Sequence, residues 1–194
     1  MASHTPPCFE TITSFSPLPV LKILKVYNVQ SKSLASLIEN TNGYLTEIST
    51  NSDDNDLIQA IYRNCSNLKY LKLSIKNNYI SELEKLLNNC KYLNGLIIKV
   101  EAKYDLDWDN LFNILIKSSP TSLFKFKFHF SRFSEPKSES LKLFFDNWKG
   151  RHPMLLHTNY IRSYHQCKHF DLINKYKTEG IIKRYDNDCL WIEF

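Results

Sequence analysis

The chain has 194 residues, 43% of them hydrophobic and 23% charged, an ordinary globular balance with enough length for one sizeable core or a short repeat array. Its formal net charge of +5 permits an acidic partner without demanding one, and four glycines leave no room for a glycine-rich phosphate loop. The five cysteines are odd in number and contain no CxxC pair, so neither a disulfide framework nor a zinc knuckle is indicated.

Residues 1–20 carry Pro6, Pro7, Pro17 and Pro19 and read as an irregular segment or cap. They lack a basic stretch followed by an apolar one, so no secretory signal is expected, and no later window approaches 18 uninterrupted apolar residues. A cytoplasmic or nuclear setting follows, with no membrane partner. In that setting the sequon Asn64-Cys65-Ser66 is incidental.

From residue 21 onward a strand pattern recurs. LKILKV starts at 21, LTEIST at 45, LKYLKL at 68, LNGLII at 93 and LFKFKF at 123, each fitting L-x-x-Φ-x-Φ except that Thr50 is polar. The spacings are 24, 23, 25 and 30 residues. Helical periodicity fills the gaps. Ser33–Asn42 presents Leu34, Leu37 and Ile38 and stops at Gly43. Asp53–Asn64 presents Leu57, Ile58 and Ile61. Ser81–Asn89 presents Leu83, Leu86 and Leu87, with Ser81 and Glu84 forming an expected capping box. Asp109–Lys117 presents Leu111, Leu115 and Ile116, and Lys137–Trp148 presents Leu141, Phe144, Phe145 and Trp148 before Gly150.

After 150 the pattern loosens. HPMLLHT (152–158) reads as a sixth strand, His165–Thr178 as a helix ended by Gly180, and IIKRY (181–185) as a last strand before DCLWIEF. The expected organisation is an irregular segment at 1–20, a repeat array over 21–150 and a capping region at 151–194. One strand–helix unit cannot bury its apolar face alone, whereas stacked units share a continuous core. The expected fold is therefore α/β: a leucine-rich-repeat-like solenoid, with a curved parallel sheet on the concave face and helices on the convex face.

Two junctions nearly repeat, NCSNLKYL (64–71) and NCKYLNGL (89–96). Cys65 and Cys90 each stand three residues before a strand leucine. A small, weakly polar side chain suits such a corner, so buried packing is expected rather than metal ligation.

The corner NC-x2-L-x2-L resembles the repeats of F-box/leucine-rich-repeat proteins. LIENTNGYLTEIS (37–49), LIQAIYRNCSNLKYL (57–71), ELEKLLNNCKYL (82–93), LIKSSPTSLFKFKF (115–128), LKLFFDNWKGRHPMLL (141–156) and DLINKYKTEGIIKRY (171–185) are similar in order and spacing to the C-terminal two-thirds of an expanded fungal set of these proteins. The resemblance implies the substrate-recognition part of an SCF-type ubiquitin ligase, in which repeats hold a protein substrate and an F-box docks a Skp-type adaptor. Residues 1–20 do not read as an F-box, so adaptor binding is expected only if one is supplied upstream.

Strand alternation sends the third, fifth and seventh positions of each unit to the face away from the helices. The residues expected to bind a partner there are Lys25, Tyr27, Tyr70, Lys72, Lys99, Lys125, Lys127 and His129. Lysines steer an acidic partner and tyrosines anchor it, so the expected ligand is a protein with an acidic surface. Two alternatives stand beside this. One is an RNA-binding sheet, prompted by the alternating aromatics of SLFKFKFHF (122–130) but disfavoured because the register sends Phe126 and Phe128 inward. The other is a degenerate repeat protein with no dedicated partner.

Catalytic and metal signatures are missing from the sequence. DLDWDN (105–110) opens like an EF-hand, but Asn110 stands where a glycine is needed and Ile116 where a bidentate glutamate is needed, so its aspartates are expected to cap a helix. His165 and His169 have zinc-helix spacing without the glutamate of HExxH. No cofactor motif and no nucleophile signature occurs, so a non-enzyme is expected.

Overall fold

The computed structural model describes residues 20–100, 105–131, 134–160 and 169–187. Strands and helices alternate throughout: β1 (Ile23–Val26), α1 (Ser31–Glu39), β2 (Glu47–Thr50), α2 (Asn55–Asn64), β3 (Tyr70–Ser74), α3 (Ile80–Asn89), β4 (Gly95–Lys99), α4 (Trp108–Ser118), β5 (Lys125–Phe130), α5 (Ser138–Trp148), β6 (Met154–Tyr160), α6 (Phe170–Thr178) and β7 (Ile182–Asp186). Among the described residues the strands form one sheet in chain order, β1 to β7, and all pairs are parallel. Every crossover moves one strand in the same direction. A single handedness of crossover then puts all the helices on one face, where each packs on the next, α1 on α2 through to α5 on α6.

The register follows the repeat frame residue by residue. Leu24, Ile48, Leu71, Leu96, Phe126 and Leu156 form one aligned row, and Leu73, Ile98, Phe128 and Thr158 another. Both rows are buried beneath the helices. The sheet continues past residue 150, because β6 pairs with β5 along Lys125–Phe130 and β7 pairs with β6.

The phenylalanines of β5 anchor an aromatic cluster in the core. Phe126, Phe128 and Phe130 are fully buried. Phe126 meets Trp148 edge-on at 5.1 Å, Phe128 meets Phe112 at 5.7 Å, and Phe130 meets Trp108 at 5.0 Å. Phe144 of α5 stacks on Phe112 of α4 at 4.9 Å. Each such ring stabilises the fold by about 1.5–3 kcal/mol through removal from water. This rung is bulkier than its leucine neighbours, as the swap of leucine for phenylalanine requires.

The corner cysteines are buried, and the Cys90 thiol donates to the Cys65 carbonyl at 3.5 Å. Burial pushes both thiols up to about 12. Asp107 caps α4 by accepting from the Asn110 amide at 3.0 Å, and Asp54 caps α2 through the Asp56 amide. Gly180 ends α6 in the left-handed region at φ 76°, where its amide donates to Lys177 and that of Ile181 donates to Tyr176, a Schellman turn.

Most element boundaries shift by a residue or two from the periodicity, and four of the differences are informative. α1 begins at Ser31 and its C-cap is Asn40, so Gly43 belongs to the following turn instead of ending the helix. There Asn42 and Gly43 both have positive φ, and a Cβ on Gly43 would stand 3.3 Å from the Asn64 carbonyl. Ser81 is not an N-cap. A short 3-10 turn at Asn77–Tyr79 runs directly into α3, which starts at Ile80 without a side-chain cap, so the capping box does not form. α6 begins at Phe170, with His169 as its capping position, and 165–168 lie outside the described residues, as do 1–19 and DCLWIEF. Finally, β6 runs from Met154 to Tyr160. No described helix is long and apolar enough to cross a membrane.

Candidate functional site

The face opposite the helices is lined by the alternate side chains of each strand. Its rows are set by the pairing register. One row runs Ile23, Glu47, Tyr70, Gly95, Lys125 and Leu155, and the next runs Lys25, Ser49, Lys72, Ile97, Lys127 and His157. A third joins Lys99, His129 and Asn159. Seven of the eight sequence-derived binding residues fall in these rows, and Tyr27, just past β1, joins them through its contacts with Ser49 and Lys72, but the eight do not share an environment.

Six of them form the accessible part. Lys25 is exposed and pairs with Glu47 on the next strand at 3.0 Å. Tyr27 is exposed, with its hydroxyl 3.4 Å from Ser49 Oγ. Lys72 donates to the Tyr27 hydroxyl at 3.3 Å, its Nζ 5.2 Å from that ring's centroid. Lys125 does the same to Tyr70, at 3.3 Å to the hydroxyl and 5.0 Å to the ring. Lys99 is half-buried. In both Lys–Tyr pairs the partners lie two strands apart, and a small residue stands between them: Ser49 in one case, Gly95 in the other. Without a bulky side chain on the middle strand, the lysine stem lies flat and its head reaches the phenol. Between these pairs Glu47, Ser49, Tyr70, Lys72 and Ile97 line a shallow depression.

Lys127 and His129 correct the sequence expectation, because they are only 4% and 1% exposed. Strand parity tells which face a side chain joins and says nothing of its depth. Lys127 lies between Ile97 and His157, and His129 between Lys99 and Asn159, with a neighbour on each side in the middle of the sheet. Burial pushes the His129 imidazole down to about 3, and Lys127, Lys72, His157 and Lys99 add their positive field. His129 is therefore neutral at physiological pH. These two residues lie beneath the face, while Lys25, Tyr27, Tyr70, Lys72, Lys99 and Lys125 form its accessible part.

Two contributors escaped the sequence reading, whereas Glu47 falls on this face by strand alternation. His157 and Asn159 of β6 extend the face but sit in or just after HPMLLHT, where proline replaces the leading leucine. The signal that could have found them is the alignment of Leu156 with Phe126. Glu47 lowers the net positive charge at one end through its ion pair with Lys25.

Three of the four phenylalanines of SLFKFKFHF, Phe126, Phe128 and Phe130, are in the core and out of reach of nucleic-acid bases, and the half-buried Phe124 packs on His152 at 4.6 Å. Elsewhere, His169 Nδ1 lies 3.1 Å from Ser138 Oγ, and its Nε2 lies 3.9 Å from Glu135. Those contacts tie the start of α6 to the start of α5. Among the described residues no group of three His, Cys, Asp or Glu side chains could hold a metal ion. No family model and no curated protein matches the chain.

Proposed function

We propose that the chain is a leucine-rich-repeat-like solenoid acting as a protein-interaction module. Its sheet face is the concave docking surface for a protein with an acidic segment, in the manner of the substrate-recognition repeats of an SCF-type F-box subunit. The observation that carries this reading is the pair of Lys–Tyr bridges, Lys72 on Tyr27 and Lys125 on Tyr70, flanking one shallow depression. Each bridge holds a cation over an aromatic ring at a position accessible to a partner. A carboxylate can then meet the ammonium while the rest of the partner packs on the phenol. The chain-order parallel sheet with same-side helices and the 23–25-residue spacing of its first units support the solenoid part.

On this reading the chain is not an enzyme and takes no cofactor. It works in the cytoplasm or nucleus and meets a Skp-type adaptor only through an F-box supplied upstream. The test has two arms. Immobilised protein should retain acidic proteins from a lysate, and Lys72→Glu with Lys125→Glu should lose them while the melting temperature is kept. Fused behind an F-box, the chain should bring a Skp-type adaptor and a retained protein into one complex. Retention unaffected by the double substitution contradicts the docking face, and a fusion that binds the adaptor alone contradicts the receptor role.

A further inference from the structure

All described strands run parallel, so every helix-to-strand turn falls on one rim of the sheet. Two rows of that rim are aligned across the units. The position just after each strand leucine holds Lys22, Thr46, Lys69 and Asn94. Their backbones are locked in line: the Thr46 amide donates to Lys22, that of Lys69 to Thr46 and that of Asn94 to Lys69, each at 2.8 Å. The position just before the leucine holds Val20, Tyr44, Asn67 and Tyr92. Val20 is 77% exposed, Tyr44 51% and Tyr92 62%. Lys22, Lys69 and Lys91 are exposed as well. The segments 20–22, 43–46, 66–69 and 91–94 contain no carboxylate.

The opposite rim is different. Its strand-to-helix turns carry Asp53, Asp54, Asp105 and Asp107. Helix dipoles account for acids at helix starts, and for a cation such as Arg63 in a last turn. They do not account for Lys69, five residues past the end of α2, because the field fades within a turn. Nor do they call for exposed tyrosines.

We infer that this rim is a second docking surface, separate from the sheet face, for an acidic protein segment with apolar side chains spaced between its carboxylates. Tyr44 and Tyr92 stand two strands apart, about 9.6 Å. Side chains three apart on a segment in the polyproline-II conformation share one face and recur at about 9.3 Å, so such a segment crossing the strands meets both rings while its carboxylates meet Lys22, Lys69 and Lys91. Exposed Val20 adds an aliphatic contact in the same line, which suits a peptide side chain.

The test is fluorescence anisotropy on the full chain at low salt with three labelled probes: a peptide of Glu-Glu-Leu repeats, a peptide of the same composition with its glutamates and leucines in separate blocks, and oligouridylate. The repeat peptide is expected to bind tightest. Its affinity should fall at least tenfold in Tyr44→Ser with Tyr92→Ser and in Lys69→Glu with Lys91→Glu, both checked for an unchanged melt, and should be unaltered by Lys32→Glu on α1, which belongs to neither surface. The inference is overturned if the repeat peptide does not bind, if the block peptide or oligouridylate binds as well, or if only Lys72→Glu weakens binding. That last result leaves the sheet face as the docking site and removes the rim.

Discussion

Lys125 of β5 crosses over Gly95 of β4 to donate a hydrogen bond to Tyr70 of β3 at 3.3 Å, with its ammonium 5.0 Å from the ring centroid. The contact depends on three strands at once: a long cation, a missing side chain and a phenol in one register row. The Lys72–Tyr27 contact also spans two strands past Ser49, but diagonally, since Lys25 stands in the row of Lys72 and Tyr27 lies just past β1. This recurrence makes the bridges a property of the sheet face and gives the proposed docking surface its character.

The bridge has a measurable strength. In a double-mutant cycle with Lys125→Met and Tyr70→Leu, urea unfolding should give a coupling of about 0.5–1 kcal/mol, the range of an accessible cation–π contact. Gly95→Leu should abolish that coupling, because the new side chain occupies the crossing. A coupling that survives Gly95→Leu would mean that the lysine does not need the gap.

His129 predicts how stability depends on pH. Its folded pKa is lowered to about 3 from an ordinary value of 6.5. Between those values the unfolded chain binds a proton that the folded chain refuses, so stability is full above about 6.5 and declines as pH falls toward 3. The slope from this one group is on the order of 1 kcal/mol per pH unit. Chemical denaturation at a series of pH values should show a shallower decline for His129→Asn than for wild type.

Arg151 joins two units. It donates to the carbonyls of Ile116 and Ser119 at the end of α4, at 2.8 and 3.2 Å, and lies over the Trp148 ring at 4.6 Å. Arg151→Met keeps much of the stem but leaves those carbonyls without their donor. It should lower stability by about 1–3 kcal/mol in urea unfolding. A change within about 0.5 kcal/mol of wild type would show that water replaces the guanidinium without cost.

Cys65 and Cys90 should be inert in the folded protein. With thiols pushed up to about 12 and side chains fully buried, almost no thiolate exists at neutral pH. A chromogenic disulfide reagent should therefore modify these two cysteines only at the rate of unfolding, identified by peptide mapping. Fast modification of either under native conditions would contradict their packed role.

Much of the fold is legible in the sequence because its signal is periodic. The L-x-x-Φ-x-Φ frame locates five strands and sets their register, and strand alternation within that frame is enough to turn Phe126 and Phe128 toward the core. Helix starts are less legible. Ser81 and Glu84 match a capping box, yet the turn at Asn77–Tyr79 already leads into α3, and tertiary context overrides the local motif. In the site, alternation identifies the face of all eight residues and misjudges the depth of two. Lys127 and His129 look like surface residues from composition, and nothing in the alternation separates them from Lys72 and Lys125, which have cross-strand neighbours on both sides as well. The bridges themselves are not legible either, because they join residues 45 and 55 positions apart through the gaps left by Ser49 and Gly95.

The central claim is that the sheet face docks an acidic protein through Lys72 and Lys125. Its most direct measurement is quantitative mass spectrometry of proteins retained by the immobilised chain, comparing wild type with Lys72→Glu plus Lys125→Glu and confirming equal melting temperatures. The account predicts that wild type enriches a defined set of acidic proteins and that the double variant recovers them at least tenfold less. Equal recovery by the two proteins, or no acidic protein enriched by wild type, would contradict it.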